Sequence, residues 1–270
     1  MNLTNKRAPQ LGEYVDNGIE KLIRPGVREE KVVILDFDFA AFKVFGSGSD
    51  EYGNKNPEYT EEDYPIVFNK VSELYYGIIN TIEQHFDIKS IFMCVKGKIG
   101  SKSFRRGIYP TYKSKRVPPL PIIRAVHNYL VENFQAIEAN NGWEADDTVA
   151  TISKSINHQG IIIAEDKDLL QIPSIFYNPA KDTWKKVTEE ESRYNLAIQC
   201  LIGDNSDGIN LFPKTGIKTA EKIIKIGMTD YQYIKAILTY LKSRNYPNYK
   251  ENLRIGYKLV KLHNTTKNDI

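Results

Sequence analysis

The sequence predicts an α/β fold in which helices cover a parallel sheet. Three apolar runs rich in β-branched residues occur at 31–39, 89–95 and 160–166, and helical stretches separate them. Strands that alternate with helices need crossover connections, and such connections make neighbouring strands parallel. The chain has 270 residues, of which 41% are hydrophobic and 26% charged, so it can bury a substantial core as an ordinary globular protein does.

Each element follows from a local pattern. Apolar residues spaced three and four apart predict helices, β-branched runs predict buried strands, and polar stretches rich in Gly, Ser and Asn predict connections. In chain order, we predict a helix over 11–23 ended by Pro25-Gly26, a strand over 31–39, a polar loop over 46–63, a helix to Phe86, a strand over 89–95, helices over 119–134 and 148–156, a strand over 160–166, and helices from 188 onward. We expect a helical extension (1–30), an α/β domain (31–190) and a helical region (191–270).

Composition excludes several classes of protein. Cys94 and Cys200 are the only cysteines, too few for a disulfide framework or a thiolate zinc site, and two reduced core thiols are the expected interpretation. No apolar run reaches the length of a membrane span and the N-terminus lacks the core of a signal peptide, so we expect a cytoplasmic protein with no membrane contact. The net charge is only +3, so nucleic-acid binding would depend on where charge is concentrated.

Carboxylates gather where strands end and helices begin. They comprise Asp36 and Asp38 after the first strand, Glu144, Asp146 and Asp147 in "GWEADDTVATI", Glu165, Asp166 and Asp168 after the third strand, and Asp204 and Asp207 in "GDNSD". An Asp at a helix start ordinarily caps the helix or complements its dipole. Four acidic groups at one sheet edge would repel one another, however, unless cations separate them. Oxygen ligands without His or Cys are typical of Mg²⁺ or Mn²⁺, and two such ions catalyse phosphoryl transfer.

A basic segment indicates the substrate. "KGKIGSKSFRRGIYPTYKSKR" (96–116) carries eight Lys or Arg and no acid, with Phe104, Tyr109 and Tyr112 between them. Such a run is usually a solvated face, but this one follows the second strand and would overhang the acidic edge. Cations that track phosphates beside aromatics that stack on bases are typical of single-strand binding. The candidate binding residues are Lys98, Lys102, Arg105, Arg106, Tyr112 and Lys115.

A second candidate binding element lies at 203–224, "GDNSDGINLFPKTGIKTAEKII". After the two acids comes a loop, then Gly216 and a helix with several lysines. Free backbone N–H groups at a helix start, with lysines nearby, can bind phosphate, although an ordinary helical hairpin has the same pattern. The candidate residues here are Gly216, Lys218, Thr219 and Lys222.

Four motifs together resemble the 5′-nuclease superfamily. "VVILDFD", "GWEADDTVATI", "GIIIAEDKDLLQI" and "LIGDNSDGI…TGIKTAEKII" follow the order and spacing found in flap endonucleases and 5′→3′ exonucleases, and are most similar to the bacteriophage enzymes, including the phage ribonuclease H type. The resemblance covers about residues 30 to 260. It implies a PIN-like sheet, an arch or clamp at 97–117 for the 5′ single strand, and a duplex-binding helix-hairpin or helix-three-turn-helix at about 200–226 that binds a monovalent cation such as K⁺.

The resemblance also implies roles for single residues. Lys113 and Arg116 match a catalytic basic pair that steers the scissile phosphate. The acids that match the family's metal ligands are Asp36, Glu144, Asp146, Asp147, Asp166, Asp168, Asp204 and Asp207. Asp38 has no counterpart.

Two departures from the family pattern stand out. Lys96 occupies the position where the family has an Asp at the end of the second strand, which should weaken one of two metal sites. Its ammonium could act as a surrogate cation, Asp38 could supply the missing oxygen, or the change could inactivate the protein. In the hairpin, the usual double-glycine turn becomes "FPKTGIKTA", which keeps only Gly216.

The expected function is a Mg²⁺-dependent or Mn²⁺-dependent, structure-selective 5′ nuclease. Its substrates would be DNA with a 5′ flap or 5′ end and RNA–DNA hybrids, and its context replication, with replication proteins as partners and a monomeric chain. Two alternatives remain open. The protein could bind nucleic acid without cleaving it, because of Lys96, or it could be a haloacid-dehalogenase-like phosphatase with Asp36 as nucleophile and Asp38 as acid. The phosphatase leaves "EADD" and the basic segment unexplained.

Overall fold

The computed structural model describes residues 18–45, 60–98, 103–116 and 119–263. In these ranges six strands form one sheet in the order β3-β2-β1-β4-β5-β6. The strands are β1 (Glu30–Asp36), β2 (Asp87–Val95), β3 (Ile137–Glu138), β4 (Ile161–Ile163), β5 (Ser174–Asn178) and β6 (Thr183–Val187). The first five are parallel and β6 pairs antiparallel to β5, so the predicted α/β class with a mainly parallel sheet is confirmed.

Nine α-helices occur in the described ranges. They are α1 (Phe39–Phe45), α2 (Tyr64–Glu83), α3 (Arg105–Ile108), α4 (Pro121–Phe134), α5 (Ala145–Ser155), α6 (Glu189–Ile202), α7 (Ile217–Ile223), α8 (Asp230–Ser243) and α9 (Tyr249–Val260). Short 3-10 helices lie at Ile19–Lys21, Glu61–Asp63 and Lys167–Gln171. Across these ranges, every helix falls short of the length or hydropathy that a membrane span requires.

The sheet has a hydrophobic core on each face because side chains alternate along a strand. On β1, Val33 and Leu35 point into a cluster with α1, α2 and α4, whereas Ile34 points into a second cluster that includes Val149 of α5. All three β1 residues are fully buried. The continuous apolar run in the sequence therefore reflects a central strand that is covered on both sides.

The strand order reverses between β1 and β4. One half of the sheet extends from β1 to β2 and β3, and the other from β4 to β5 and β6. At such a reversal the loops after the two strands diverge and leave a crevice at their carboxyl ends. Asp36 ends β1 and Asp166 follows β4, so the fold places these two acids on either side of the crevice.

Only helices follow β6 in the described part of the chain. Helices α6, α7 and α8 share a separate apolar cluster that includes Leu201, Ala220 and Leu241. Thr188 and Thr229 cap α6 and α8 with side-chain hydrogen bonds at their first turns. The division of the chain at residues 30/31 and 190/191 stays a prediction.

Several element predictions need correction. The first strand ends at Asp36 rather than residue 39, and residues from Phe39 onward form α1. Residues 19–21 form a 3-10 helix rather than part of a helix over 11–23, and residues 11–17 lie outside the described ranges. The sequence prediction missed β3, β5 and β6. The predicted loop at 46–63 lies outside the described ranges except for residues 60–63.

Candidate active site

A cavity of about 580 Å³ opens at the carboxyl ends of β1 and β4. Among the described residues, nine acids and five bases line it. The acids are Asp36, Asp38, Glu144, Asp146, Glu165, Asp166, Asp168, Asp204 and Asp207, and the bases are Lys96, Arg105, Lys113, Arg116 and Lys167. The cavity thus brings together seven of the eight sequence-predicted metal ligands, all except Asp147, and the surplus of acids favours bound cations.

The innermost acids are crowded and buried. Burial and the nearby charges of Asp38, Asp166 and Glu165 raise the pKa of Asp36 well above its ordinary value, although an N–H from Asp38 offsets part of the shift. Burial, Asp36 and Asp166 likewise raise the pKa of Asp146 well above its ordinary value. A cation bound beside these carboxylates would favour their ionised forms.

Hydrogen bonds fix the acids that follow β4. Asp166 Oδ1 accepts a hydrogen bond from the backbone N–H of Asp168 at 2.8 Å. This bond caps the start of the 3-10 helix Lys167–Gln171. Gln199 of α6 donates to Asp168 Oδ1. Burial, together with the charges of Asp166 and Asp204, raises the pKa of Asp168 to about 7.

A tight turn after α6 presents Asp204 and Asp207. Asp204 Oδ1 accepts N–H groups of Ser206 at 2.7 Å and Asp207 at 3.2 Å. Burial alone would raise the pKa of Asp204, but the hydrogen bond from the Ser206 hydroxyl, the two N–H groups and the charge of Lys167 outweigh burial and hold the pKa below its ordinary value. Gly203 has φ +70°, and a Cβ there would lie 2.2 Å from Ile209 O, so the turn requires glycine.

The basic pair lies against two of these acids. Lys113 Nζ lies 2.8 Å from Glu144 Oε2 and 3.5 Å from Asp207 Oδ2. Arg116 Nη2 lies 2.6 Å from Asp207 Oδ1, and its side chain is 57% exposed. Burial would raise the pKa of Glu144, but Lys113 and Arg105 outweigh it and lower the pKa. Both cations therefore stand at the cavity mouth with their charge directed at acids that could instead hold metal.

The metal-ligand assignment of Asp147 needs correction. Asp147 is fully buried, does not line the cavity, and accepts two parallel 2.8 Å bonds from Arg105. Arg105 borders the cavity but is only 2% exposed and is paired with Asp147, which disfavours the predicted contact with nucleic acid. The sequence could not distinguish these roles because it gives the residue types but not whether an Asp–Arg pair is buried or exposed.

Tyr112 also departs from its predicted role. It is 2% exposed and donates its hydroxyl to Glu144 Oε2 at 2.9 Å and Asp207 Oδ2 at 3.1 Å, so its ring is not free to stack on a base. The other predicted binding residues lie at the surface, apart from the half-buried Thr219 and from Lys102, which is outside the described ranges. The exposed ones are Lys98, Arg106, Lys115, Gly216, Lys218 and Lys222.

Two aromatic side chains at the site were not predicted. Phe39 and Phe42 of α1 line the cavity beside Asp36, and Phe42 is 57% exposed. An exposed aromatic ring at the cavity can stack on a bound base. The sequence analysis missed them because residues 37–39 were assigned to the strand, which gave α1 no helical face.

Lys96 lies at the end of β2 and lines the cavity. Its backbone N–H donates to Asp38 Oδ1 at 2.9 Å, which fixes Asp38 beside the inner acids. Burial raises the pKa of Asp38, while Lys96 itself and His127 oppose the shift. Lys96 and Asp38 therefore lie together in the cavity, at the end of β2 where the family pattern has an acid.

The donor set suits hard cations, but the side chains are not yet arranged around one. Among the described residues, no three Asp, Glu, His or Cys side chains could hold a metal ion as they lie. Asp36, Asp146 and Asp166 nevertheless share the cavity, where burial and the charge of Asp166 raise the pKa values of Asp36 and Asp146.

Comparison with known proteins places this geometry in a family. Residues 31–195 match the family described as "5'-3' exonuclease, N-terminal resolvase-like domain". The 5'-3' exonuclease of Buchnera aphidicola subsp. Schizaphis graminum is 26% identical, and the match covers 88% of each chain. DNA polymerase I of Bacillus subtilis is 30% identical over 73% of this chain, which spans 23% of that longer enzyme.

Solved structures show the same fold. The bacteriophage T5 flap endonuclease, in a pseudo-enzyme–product complex with DNA and metal ions, superposes with a TM-score of 0.58 at 16% identity, covering 86% of this chain and 89% of that one. Flap endonuclease-1 from Methanococcus jannaschii gives 0.53 at 15% identity over 89% and 81%. This chain therefore belongs to the 5′-3′ exonuclease family, and its sheet is the resolvase-like fold of that family's N-terminal domain.

Proposed function

We propose that this protein is a metal-dependent, structure-selective 5′ nuclease. It hydrolyses a phosphodiester near a 5′ end or a 5′ flap on DNA, and also on RNA–DNA hybrids, during replication. One observation supports this above all: in a member of this family, acids from four separate segments line one cavity, with Lys113 and Arg116 at its mouth.

The acids have the chemistry to hold Mg²⁺ or Mn²⁺. Asp36, Asp146 and Asp166 supply the inner oxygens, and Asp168 and Asp204 supply the outer ones. Bound ions would offset the burial and the repulsion that raise the pKa values of Asp36 and Asp146. Two divalent ions, when bound, activate water and stabilise the departing oxygen in an in-line displacement.

The chain's own cations and rings position the substrate. Lys113 and Arg116 each exchange a carboxylate contact for the scissile phosphate, which they orient and whose developing charge they stabilise. Phe42 offers its exposed face to the base beside the scissile bond, since aromatic stacking tolerates any base. The exposed cations of the basic segment, including Arg106 and Lys115, contact the phosphates of the 5′ single strand.

The duplex rests on residues 203–226. Gly216 lies before α7, and among the described residues no atom would come within 4 Å of a Cβ added there, so a phosphate can approach the backbone closely. Lys218 and Lys222 are exposed on the same helix. A monovalent cation such as K⁺ at this turn is part of the proposal, and replacement of K⁺ by tetramethylammonium should then weaken duplex binding at constant ionic strength.

A cleavage assay separates the three candidate functions. A 5′-labelled flap duplex, an RNA–DNA hybrid and p-nitrophenyl phosphate are each incubated with protein while Mg²⁺ or Mn²⁺ is titrated against EDTA. A nuclease cuts near the junction only with metal, a silent homologue shifts the DNA without cutting it, and a phosphatase hydrolyses the small ester alone. The family match favours the first outcome over the phosphatase. No metal-dependent cleavage of any 5′ end would refute the proposal.

Two further parts of the proposal have simple tests. We propose that the protein acts as a monomer in the cytoplasm and contacts replication proteins there. Light scattering at assay concentration should give the mass of one 31.0 kDa chain. Cleavage of a hybrid flap at a rate within about tenfold of the DNA flap would support a role in removing RNA primers.

A further inference from the structure

A buried hydrogen-bonded pair joins three parts of the molecule beneath the cavity. Arg105 belongs to α3 in the basic segment, and Asp147 belongs to the first turn of α5. Their side chains are 2% and 0% exposed and share two 2.8 Å bonds in parallel. Paired planar groups of this kind are geometrically specific as well as strong.

The chain that follows α9 completes the cluster with backbone groups. Arg105 Nε donates to Leu259 O at 2.8 Å, and Arg105 Nη2 donates to Lys261 O at 3.1 Å. The N–H of His263 donates to Asp147 Oδ1 at 2.9 Å. Both charged groups are therefore satisfied inside the protein, and the segment 259–263 is fixed across the base of α5.

The pair reaches the catalytic acids through one residue. The N–H of Glu144 donates to Asp147 Oδ2 at 3.2 Å, and Arg105 Nη1 lies 3.7 Å from Glu144 Oε2. Glu144 is the N-cap of α5, its side chain contacts Lys113, and Asp146 is two residues farther along. Lys113 in turn follows Arg105 by eight residues in the same segment. A shift of either partner would thus move acids and cation relative to each other.

We propose that Arg105 and Asp147 are positioning residues, which hold the start of α5 and the base of the basic segment in register so that Glu144, Asp146 and Lys113 face one phosphate. This inference rests on the proposed nuclease function. Asp147 does not line the cavity, and the guanidinium of Arg105, which borders the cavity, is occupied by Asp147 and by backbone oxygens. Backbone hydrogen bonds from residues 259–263 keep the pair from rotating. Through these bonds the end of α9 and the residues after it help to position a site at the sheet edge.

The test replaces the pair by apolar residues of similar volume, Arg105→Met with Asp147→Leu. Such replacements of buried ion pairs often leave stability unchanged, so the variant separates positioning from folding. We expect a Tm close to wild type, a single-turnover cleavage rate at least about tenfold lower, and an unchanged Kd for the flap duplex. The Mn²⁺ concentration that half-saturates the site, measured by calorimetry, should rise several-fold. Should the double variant fail to fold, Arg105→Lys, which keeps the buried positive charge but cannot form two parallel bonds to Asp147, carries the same test.

The control is Leu241→Ala, a fully buried residue of α8 away from the cavity. It should lower Tm without changing the cleavage rate at a temperature where it is folded, or the Mn²⁺ affinity. A second readout does not depend on activity: amide exchange at residues 144–148 should accelerate in the double variant and stay constant in α8. An active wild type with a double variant of equal rate and equal exchange would overturn the positioning role. A wild type that cleaves nothing would instead refute the proposed function.

Discussion

Lys113→Met removes one positive charge from the cavity mouth and keeps the aliphatic stem. In the structure the ammonium contacts Glu144 and Asp207, and the side chain is 18% exposed. Removal of one preorganised donor to a developing charge costs about 100-fold to 1,000-fold in rate. Because Lys113 must give up part of its contact with Glu144 to reach a phosphate, we expect the lower end, about 100-fold or about 2.7 kcal/mol of activation free energy.

The assay is single-turnover cleavage of a 5′-flap duplex with enzyme in excess. The rate at saturation should fall while Kd changes only a few-fold, since one phosphate contact is a small part of duplex binding. Without Lys113 the pKa of Glu144 should rise, so more of this carboxyl is protonated at pH 6 than at pH 8. The loss of rate should therefore be larger at pH 6. Lys70→Met, on the exposed surface of α2, removes the same charge and should leave both quantities unchanged. A wild-type saturated rate with only weaker binding would refute a catalytic role for Lys113.

Four further predictions follow from the same geometry. Asp166→Asn should abolish cleavage but preserve flap binding, whereas Glu73→Gln on the exposed surface of α2 should leave both cleavage and binding unchanged; retained turnover in Asp166→Asn would show that Asp166 holds no metal. The pKa of Asp168 is about 7, above its ordinary value, so metal must displace a proton below pH 7 and the half-saturating Mg²⁺ concentration should rise as pH falls from 8 to 6; a flat profile would contradict the shift. In the metal-free protein, the raised pKa means that folded Asp168 binds a proton more tightly than unfolded Asp168 does. The free energy of unfolding should therefore fall as the pH rises from about 4 to about 7. Phe42→Ala should weaken flap binding by about 1–3 kcal/mol if its ring stacks on a base, and equal Kd values would rule that out. Lys96→Asp should lower the metal concentration needed for cleavage, and no change would place Lys96 outside the metal site.

Local patterns were sufficient to predict the central sheet and its functional edge. β1 and β4 carry continuous β-branched runs because both faces of each strand are covered, so the sequence itself indicates that these strands are buried. β6 was missed because Lys185 and Lys186 interrupt its apolar pattern, as solvent-facing residues do on a peripheral antiparallel strand. β5 was missed because it has only five residues, and so short a run cannot be identified as a strand by periodicity alone. β3 has only two residues, too few for any periodic signal.

At the site, the sequence identified residue types but not the direction of each side chain. Asp146 and Asp147 are adjacent on α5, so successive positions turn by about 100° and face different surroundings. One lines the cavity and the other pairs with Arg105 beneath it. Arg105 and Tyr112 were likewise counted with the exposed cations and rings, since only tertiary packing against Leu259 and Asp207 buries them. Such assignments depend on contacts between residues far apart in the chain.

The central claim is that acids from separate strand ends share divalent cations. Its most direct test is the anomalous difference map of a crystal soaked in Mn²⁺ at neutral pH. We expect a peak within ligand distance of Asp36, Asp146 and Asp166 and a second one toward Asp168 and Asp204, with both absent after EDTA. A map in which Mn²⁺ is bound elsewhere, or nowhere, while these carboxylates remain without a metal would contradict the claim.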